Sequence, residues 1–545
     1  MSETLRTFEF DSTRRRRTGR GTRRGCTARI LAVLILIAAV YVFWTTRDTC
    51  PIARLTPEDR QFRAFIHEPL QRKGRIASSA VWSVFPASSK LAELPHRLEK
   101  GTRMPGWMER HFVGPFVLIT GNDVDQFSDV LILTRMTRIG CLLERLSAFA
   151  DQVEKDAAGG LELRHLPDYE IYYAVRGRIL ALSPSRNALI RAVTLRAEDT
   201  PDPRLLDKAI EEAGPEDISG TIRFADERSP DYGCEEADVP GGRVLRSVAF
   251  ALRIEPGGIE LKTRAALKPE FKERVQQLFS GVEPRELNET KAGIATVTAH
   301  FDKSIRELWT TCGELLDNRA SMDSMWQRWL TPPDKPDPGD MLACFLTTIL
   351  GPMGPEVTLT WYGVDLNEMF PMPRLAAVLQ SPANVGATVF ESLPPVPEDA
   401  LPWETFPRYD VEARRARLPM IGGPAIEPTA CFVSDCMVAG TGTGAVREAI
   451  DIARNKRRPK AGTGNIYCHV HPGPCVQAVY DTAMLMADNG LLKGHTRDSV
   501  AELWQPWLDR ADRIEEMTLV LGYDSGEITG EFKISCGSST EKQAL

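Results

Sequence analysis

The sequence predicts an α+β protein: an N-terminal transmembrane helix followed by two tandem, duplicated units of mostly antiparallel sheet with helices on one face. Three observations predict it. A 17-residue apolar run without charge lies near the start, five segments recur later in the chain in the same order, and those segments read as alternating strands joined by short turns.

The first 29 residues carry nine arginines, including "RRRRTGRGTRR" from Arg14 to Arg24, against three acids. This basic segment (1–29) is expected in the cytoplasm, because positive flanks resist translocation. Residues 30–46, "ILAVLILIAAVYVFWTT", follow with Tyr41 and Trp44 near the far end. At 1.5 Å per residue the run reaches about 26 Å, the short end of what crosses a hydrocarbon core of about 30 Å. No small-residue cleavage site follows it. The reading is an uncleaved signal anchor in the inner membrane, with the lipid bilayer as partner through 30–46 and everything beyond it periplasmic or otherwise extracytoplasmic. Residues 47–74, with the helix-like "TPEDRQFRAFIHEPLQRK" (56–73), are expected to form a juxtamembrane linker helix.

Two units are expected beyond it, 75–285 and 286–537, with a tail at 538–545; the boundary falls near "GVEPRELNETKAG" (281–293). "ASSAVWSVFPASSKLAELP" (77–95) matches "AGIATVTAHFDKSIRELW" (292–309), each read as a strand, a turn and a helix. "VGPFVLITGND" with "DVLILTRMTR" (113–138) matches "MGPEVTLTWYG" with "PRLAAVLQSP" (353–382). "YEIYYAVRGRILALSPSRNALIRAV" (169–193) aligns with "EPTACFVSDCMVAGTGTGAVREAI" (427–450) as hairpin, turn and helix. "SGTIRFAD" (219–226) pairs with "GNIYCHVH" (464–471), and the hairpin "VAFALRIEPGGIELKTRA" (248–265) with "MTLVLGYDSGEITGEFKI" (517–534). The second half alone carries the Pro-rich insertions 331–340 and 391–407, expected to be surface loops. This arrangement, with "YAVRGRILALSPSRNALIRAV" as its recurring mark, resembles uncharacterised bacterial single-pass membrane-anchored proteins with a duplicated domain of unknown function. The resemblance implies no activity and no functional residues.

Composition excludes some partners. Nine of the 67 basic residues but only three of the 74 acidic ones precede residue 30, so the remainder carries about −13 by formal count, and nucleic acid is not expected as a partner. Eleven cysteines over 545 residues are too sparse for a disulfide-stapled scaffold, although Cys431 with Cys436, and Cys468 with Cys475, flank turns.

Two motifs invite chemistry. In "VAGTGTGAVREAI" the residues Gly440, Gly442 and Ala445 follow a strand and open a helix, as glycines do at a dinucleotide pyrophosphate. The matching "SPSRNALIRAV" keeps the turn and helix without glycine, so a Gly-rich turn is the better reading and no cofactor is expected. "CHVHPGPC" (468–475) offers two thiols and two imidazoles, the ligand types of zinc. Strand alternation sends His469 and His471 to one face and Cys468 to the other, so only His469, His471 and a Cys475 returned by the Pro472-Gly473-Pro474 turn could converge. His300 is read as the counterpart of His471. The metal site, a local disulfide and unpaired thiols stay open at this point.

The function expected is an extracytoplasmic binding or scaffolding role without catalysis, with an envelope protein as possible partner. The rival is a metal-dependent hydrolase using His469, His471 and Cys475. Trp403 and Phe406, aromatics among the prolines of 391–407, are the expected partner contact.

Overall fold

The computed structural model describes residues 36–58, 60–96, 106–122, 129–146, 156–166, 170–200, 216–224, 244–279, 285–311, 351–381, 403–416 and 427–537, with short gaps inside some of these ranges. Twenty strands among them form one antiparallel sheet, and two more form a small ribbon.

In the first half the strands are β1 (Phe62–His67), β2 (Phe116–Gly121), β3 (Leu131–Arg135), β4 (Asp156–Ala158), β5 (Leu161–Leu166), β6 (Ile171–Arg176), β7 (Ile179–Ser183), β8 (Ile218–Arg223), β9 (Leu245–Glu255) and β10 (Gly258–Leu267). The ribbon strand β11 (Arg285–Asn288) comes next. The second half then supplies β12 (Ala295–His300), β13 (Glu356–Asp365), β14 (Met372–Gln380), β15 (Trp403–Arg408), β16 (Val411–Ala416), β17 (Thr429–Val433), β18 (Cys436–Gly440), the ribbon strand β19 (Lys460–Gly464), β20 (Ile466–Val470), β21 (Ile514–Asp524) and β22 (Glu527–Cys536).

Pairing runs outward from β10 through β9, β8, β1, β2, β3, β7, β6 and β5 to β4. From β22, which pairs with β10, it runs through β21, β20, β12, β13, β14, β18, β17 and β16 to β15. The two paths have the same order, strand for strand, so the ladder repeats about a pseudo-twofold axis between β10 and β22. In the matched hairpins 248–265 and 517–534, Lys262 and Glu531 occupy the same position, and they are also direct cross-strand partners. The axis therefore passes between them.

Buried polar residues repeat too. Asp217, before β8, accepts a hydrogen bond from the Ile254 amide at 2.6 Å; Asn465, before β20, accepts one from the Tyr523 amide at 3.1 Å. Ile254 and Tyr523 are equivalent in the two hairpins.

Helices pack on both ends of the sheet and also near its middle, where Ile76 joins Leu252, Ile254 and Ile534. In the first half α1 (Pro69–Ala77), α2 (Gly106–Phe112), α3 (Arg138–Leu146) and α4 (Arg186–Thr194) precede α5 (Pro269–Leu278). The second half has α6 (Thr443–Arg454), α7 (Pro472–Asp488) and α8 (Arg497–Ala511). Helix α4 starts because the Ser185 hydroxyl accepts from the Ala188 amide at 3.2 Å. Its Leu189, Ala192 and Val193 bury against Leu118, Leu133 and Ala181. Its counterpart α6 lays Ala445, Val446, Ala449 and Ile450 on Ala376, Ala413, Cys431 and Val438.

Several expectations are corrected. The protein is one large antiparallel sheet with few helices, in place of an α+β chain led by a transmembrane helix. Among the described residues no helix is long and apolar enough to cross a membrane. At 17 residues the uncharged run sits at the lower limit of the roughly 17–25 that span a bilayer; most of 30–46 lies outside the described residues, as do 1–29 and 538–545. The single-pass anchor, the inner-membrane location and the topology read from it fall with that finding.

Residues 56–73 are not one helix. Phe62–His67 pairs with both β2 and β8, and α1 starts only at Pro69. Aromatic and apolar side chains on both faces of "FRAFIH" suit a doubly flanked strand. The counterpart of β12 is therefore β1, whereas Ala80–Val84, placed in that role by the first sequence match, is a short 3-10 turn. His67, and not His471, ends the strand equivalent to the one ending at His300. The match of 219–226 to 464–471 shifts by three residues: Ser219 pairs with Ala251 and Tyr467 with the equivalent Val520, so Ser219 corresponds to Tyr467. Of the expected loop 391–407, Trp403–Arg408 forms β15 at the end of the ladder, where Pro407 is tolerated because an edge strand leaves one side unpaired. Residues 331–340 and 391–402 lie outside the described residues.

Candidate functional site: a cleft at the joint

Between the helix-covered ends, two rows of side chains cross the joint on one face. Phe65, Ser219, Ala251, Lys262, Glu531 and Val520 stand opposite one another in register, and Thr221, Ala249, Arg264, Thr529 and Gly522 form the next row. Together with Thr463 of β19 they line an open cleft of about 720 Å³.

The cleft lies on the first-half side of the axis, because the equivalent positions diverged in size. Ser219, Thr221, Ala249 and Ala251 correspond to Tyr467, His469, Thr518 and Val520. Small side chains expose the strand floor where their counterparts occupy it. The aromatic has changed strand as well: Phe65 and Ser219 stand where the second half has Thr298 and Tyr467.

The floor is charged and internally balanced. Lys262 Nζ lies 3.0 Å from a Glu260 oxygen, Lys533 Nζ 2.5 Å from Glu531 and 3.9 Å from Glu260, and Arg264 Nε 3.4 Å from Glu527. The hydrogen bond that Lys262 donates to Glu260 pushes its ammonium up. Burial alone would raise the Glu260 carboxyl, yet the bond from Lys262 and the charges of Lys262 and Lys533 hold it below its usual range.

The zinc-like residues are divided. His469 shares its row with Thr296 and Thr518 and is fully buried, its Nε2 3.4 Å from Glu516 Oε2. The His471 ring meets it edge-on at 4.5 Å, and His471 Nδ1 lies 3.0 Å from the Glu515 carbonyl oxygen. Cys475 goes elsewhere. Its thiol, pushed up to about 11 by burial and by the neighbouring Cys468, donates toward the Ile294 carbonyl at 3.3 Å. Cys468 faces away from His469 on β20, so Cys475 keeps company with a thiol and not with the imidazoles. Among the described residues no three His, Cys, Asp or Glu groups gather as a metal set. In the Gly-rich turn, Gly440 closes on the Leu375 carbonyl, where a Cβ would come within 2.8 Å, so backbone packing accounts for it. Trp403 and Phe406 lie on β15, opposite Ala416 and Ala413.

Cys431 is fully buried and its thiol is also pushed up to about 11, by burial. Both Cys431 and Cys475 should resist iodoacetamide near pH 8 in the native protein and react on unfolding, as read by peptide mass spectrometry; rapid native labelling of either would contradict their placement.

The sequence reading missed the cleft residues, yet a signal was present. The hairpin match alone sets a lysine and a glutamate, Lys262 and Glu531, at one shared position, a divergence in charge that a purely structural repeat does not require.

No family profile and no curated protein sequence matches the chain. Among solved structures, crystal form I of TP0453 aligns with 45% of this chain and 90% of that chain at 8% identity, with a TM-score of 0.22. Crystal form IV aligns with 45% and 88% at 9% identity and a TM-score of 0.23. Likeness at that level carries no argument about fold or function.

Proposed function

We propose that the chain is a binding module that acts by contact and not by catalysis, with the cleft at the β10–β22 joint as its ligand site. The observation that supports it best is the floor of ion pairs. Acid–base catalysis calls for a group poised near neutral pH, whereas the pairing of Lys262 with Glu260 at 3.0 Å favours the charged form of each. Such groups orient a ligand without exchanging protons with it. Duplication points the same way: a site next to a pseudo-twofold axis, opened by small residues in one copy only, implies one ligand per chain.

Filling the cleft should abolish binding. Ala249 is exposed on the floor of a strand, so Ala249→Trp can occupy the space without entering a core. Thr221→His installs the residue found at the equivalent position, His469. Ligands from a small-molecule and oligosaccharide library that raise the melting temperature of the native protein should leave both variants unshifted. Equal shifts in native protein and variants would place binding elsewhere.

A further inference from the structure

We infer that the ligand of this cleft is uncharged and rich in hydroxyls, an oligosaccharide segment, an inference that rests on the binding reading above. The charges decide the first half of it. Lys262, Arg264 and Lys533 are matched by Glu260, Glu527 and Glu531 within 4 Å. With each cation paired to a carboxylate, the cleft presents no cluster of unmatched positive charge to concentrate a polyanion. A phosphate or carboxylate entering here would displace a glutamate from its lysine and gain little by the exchange.

The hydroxyls decide the second half. Thr221, Thr463 and Thr529 line the cleft, and among the described residues their hydroxyls have no protein partner. Ser219 Oγ is shared with His67 Nε2 at 3.1 Å. A hydroxyl both donates and accepts, which is the pattern that a sugar presents in return. Ala249, Ala251 and Gly522, which face the cleft, carry too little side chain to block a ring from its floor. A peptide fits less well. Strands β8, β9, β10, β22 and β21 are each paired on both sides, so an extended peptide finds no open edge to join.

The test uses the full chain with five probes: maltohexaose, cellotetraose, chitotetraose, inorganic pyrophosphate and an uncharged Ala/Ser decapeptide. Saturation-transfer NMR and calorimetry would be run at low and high salt. At least one oligosaccharide should bind saturably, with an affinity unchanged by salt and lowered about tenfold or more by Ala249→Trp. Thr221→Val, which removes a hydroxyl and keeps the shape of the side chain, should weaken it as well and guards against a filled variant that fails to fold. Binding of pyrophosphate or of the decapeptide alone, sensitive to Ala249→Trp, would overturn the ligand class and leave the binding module standing. Absence of oligosaccharide binding, or binding indifferent to both variants, overturns the inference. If library hits are equally indifferent, the binding reading fails with it.

Discussion

Replacing Asp217 by alanine should cost about 3 kcal/mol or more of stability, read as a shift in the urea unfolding midpoint. The carboxylate is fully buried. One oxygen accepts from Arg72 Nη1 at 3.0 Å and from Arg75 Nη2, and the other from the Ile254 amide at 2.6 Å. Arg72 also donates to the Glu216 carbonyl at 2.6 Å, so Asp217 fastens α1 to the ends of β8 and β9. Breaking a buried ion pair by removing one member costs about 3–5 kcal/mol, chiefly because the other charge is stranded. Here the arginines retain some exposure, 16% and 34% of their side chains, and can turn to water, which favours the lower end. The second half supplies its own control. Asn465 holds the equivalent position without a charge and keeps the equivalent amide bond to Tyr523, so Asp217→Asn should recover part of the loss. A cost below about 1 kcal/mol for Asp217→Ala would mean that the cluster contributes no more than a surface pair.

Gly258→Ala should destabilise the protein by about 2 kcal/mol or more, while the same change at the adjacent Gly257 should be neutral or slightly stabilising. A Cβ on Gly258 would lie 2.0 Å from the Ile534 carbonyl oxygen, on the strand paired across the joint, and β10 would have to move away from β22 to admit it. Overpacking typically costs about 1–3 kcal/mol, and here the obstacle is backbone, which cannot rotate aside. At Gly257 the nearest atom is the Cys536 carbonyl oxygen at 3.9 Å. Alanine there meets ordinary contact and trims unfolded-chain entropy, worth about 0.4–1 kcal/mol where the backbone permits. Equal effects at the two glycines would show that β10 and β22 are not packed as described.

Much of the sheet was legible because its strands alternate and its hairpins are short. The segments 113–138, 169–193 and 248–265 each fall on paired strands, and so do their matches. Register was less legible. "SGTIRFAD" and "GNIYCHVH" share little beyond a strand propensity, and a period-2 pattern does not by itself say which of several offsets is correct. Only the pairing of Ser219 with Ala251 and of Tyr467 with Val520 fixes it. The strand Phe62–His67 was hidden by its own neighbours: Glu58, Arg60 and Gln61 before it and the true helix after it give the stretch a helical composition. The apolar run at 30–46 carried the membrane reading on a length of about 26 Å, the short end of a span, and on charge asymmetry, which signals orientation and not insertion. The cleft was invisible because it depends on which residues meet across the joint, and Lys262 and Glu531 are 269 positions apart.

The central claim is that two copies of one topology join into a continuous sheet across β10 and β22, and zero-length carbodiimide cross-linking of the native monomer tests it directly. Lys262 to Glu260 and Lys533 to Glu531, at 3.0 and 2.5 Å, are internal controls within each half. Lys533 to Glu260, at 3.9 Å, crosses the joint. Mass spectrometry of the monomer band should recover the peptide pair that links residues 260 and 533. Recovery of both controls without any link between the halves would contradict the continuous sheet.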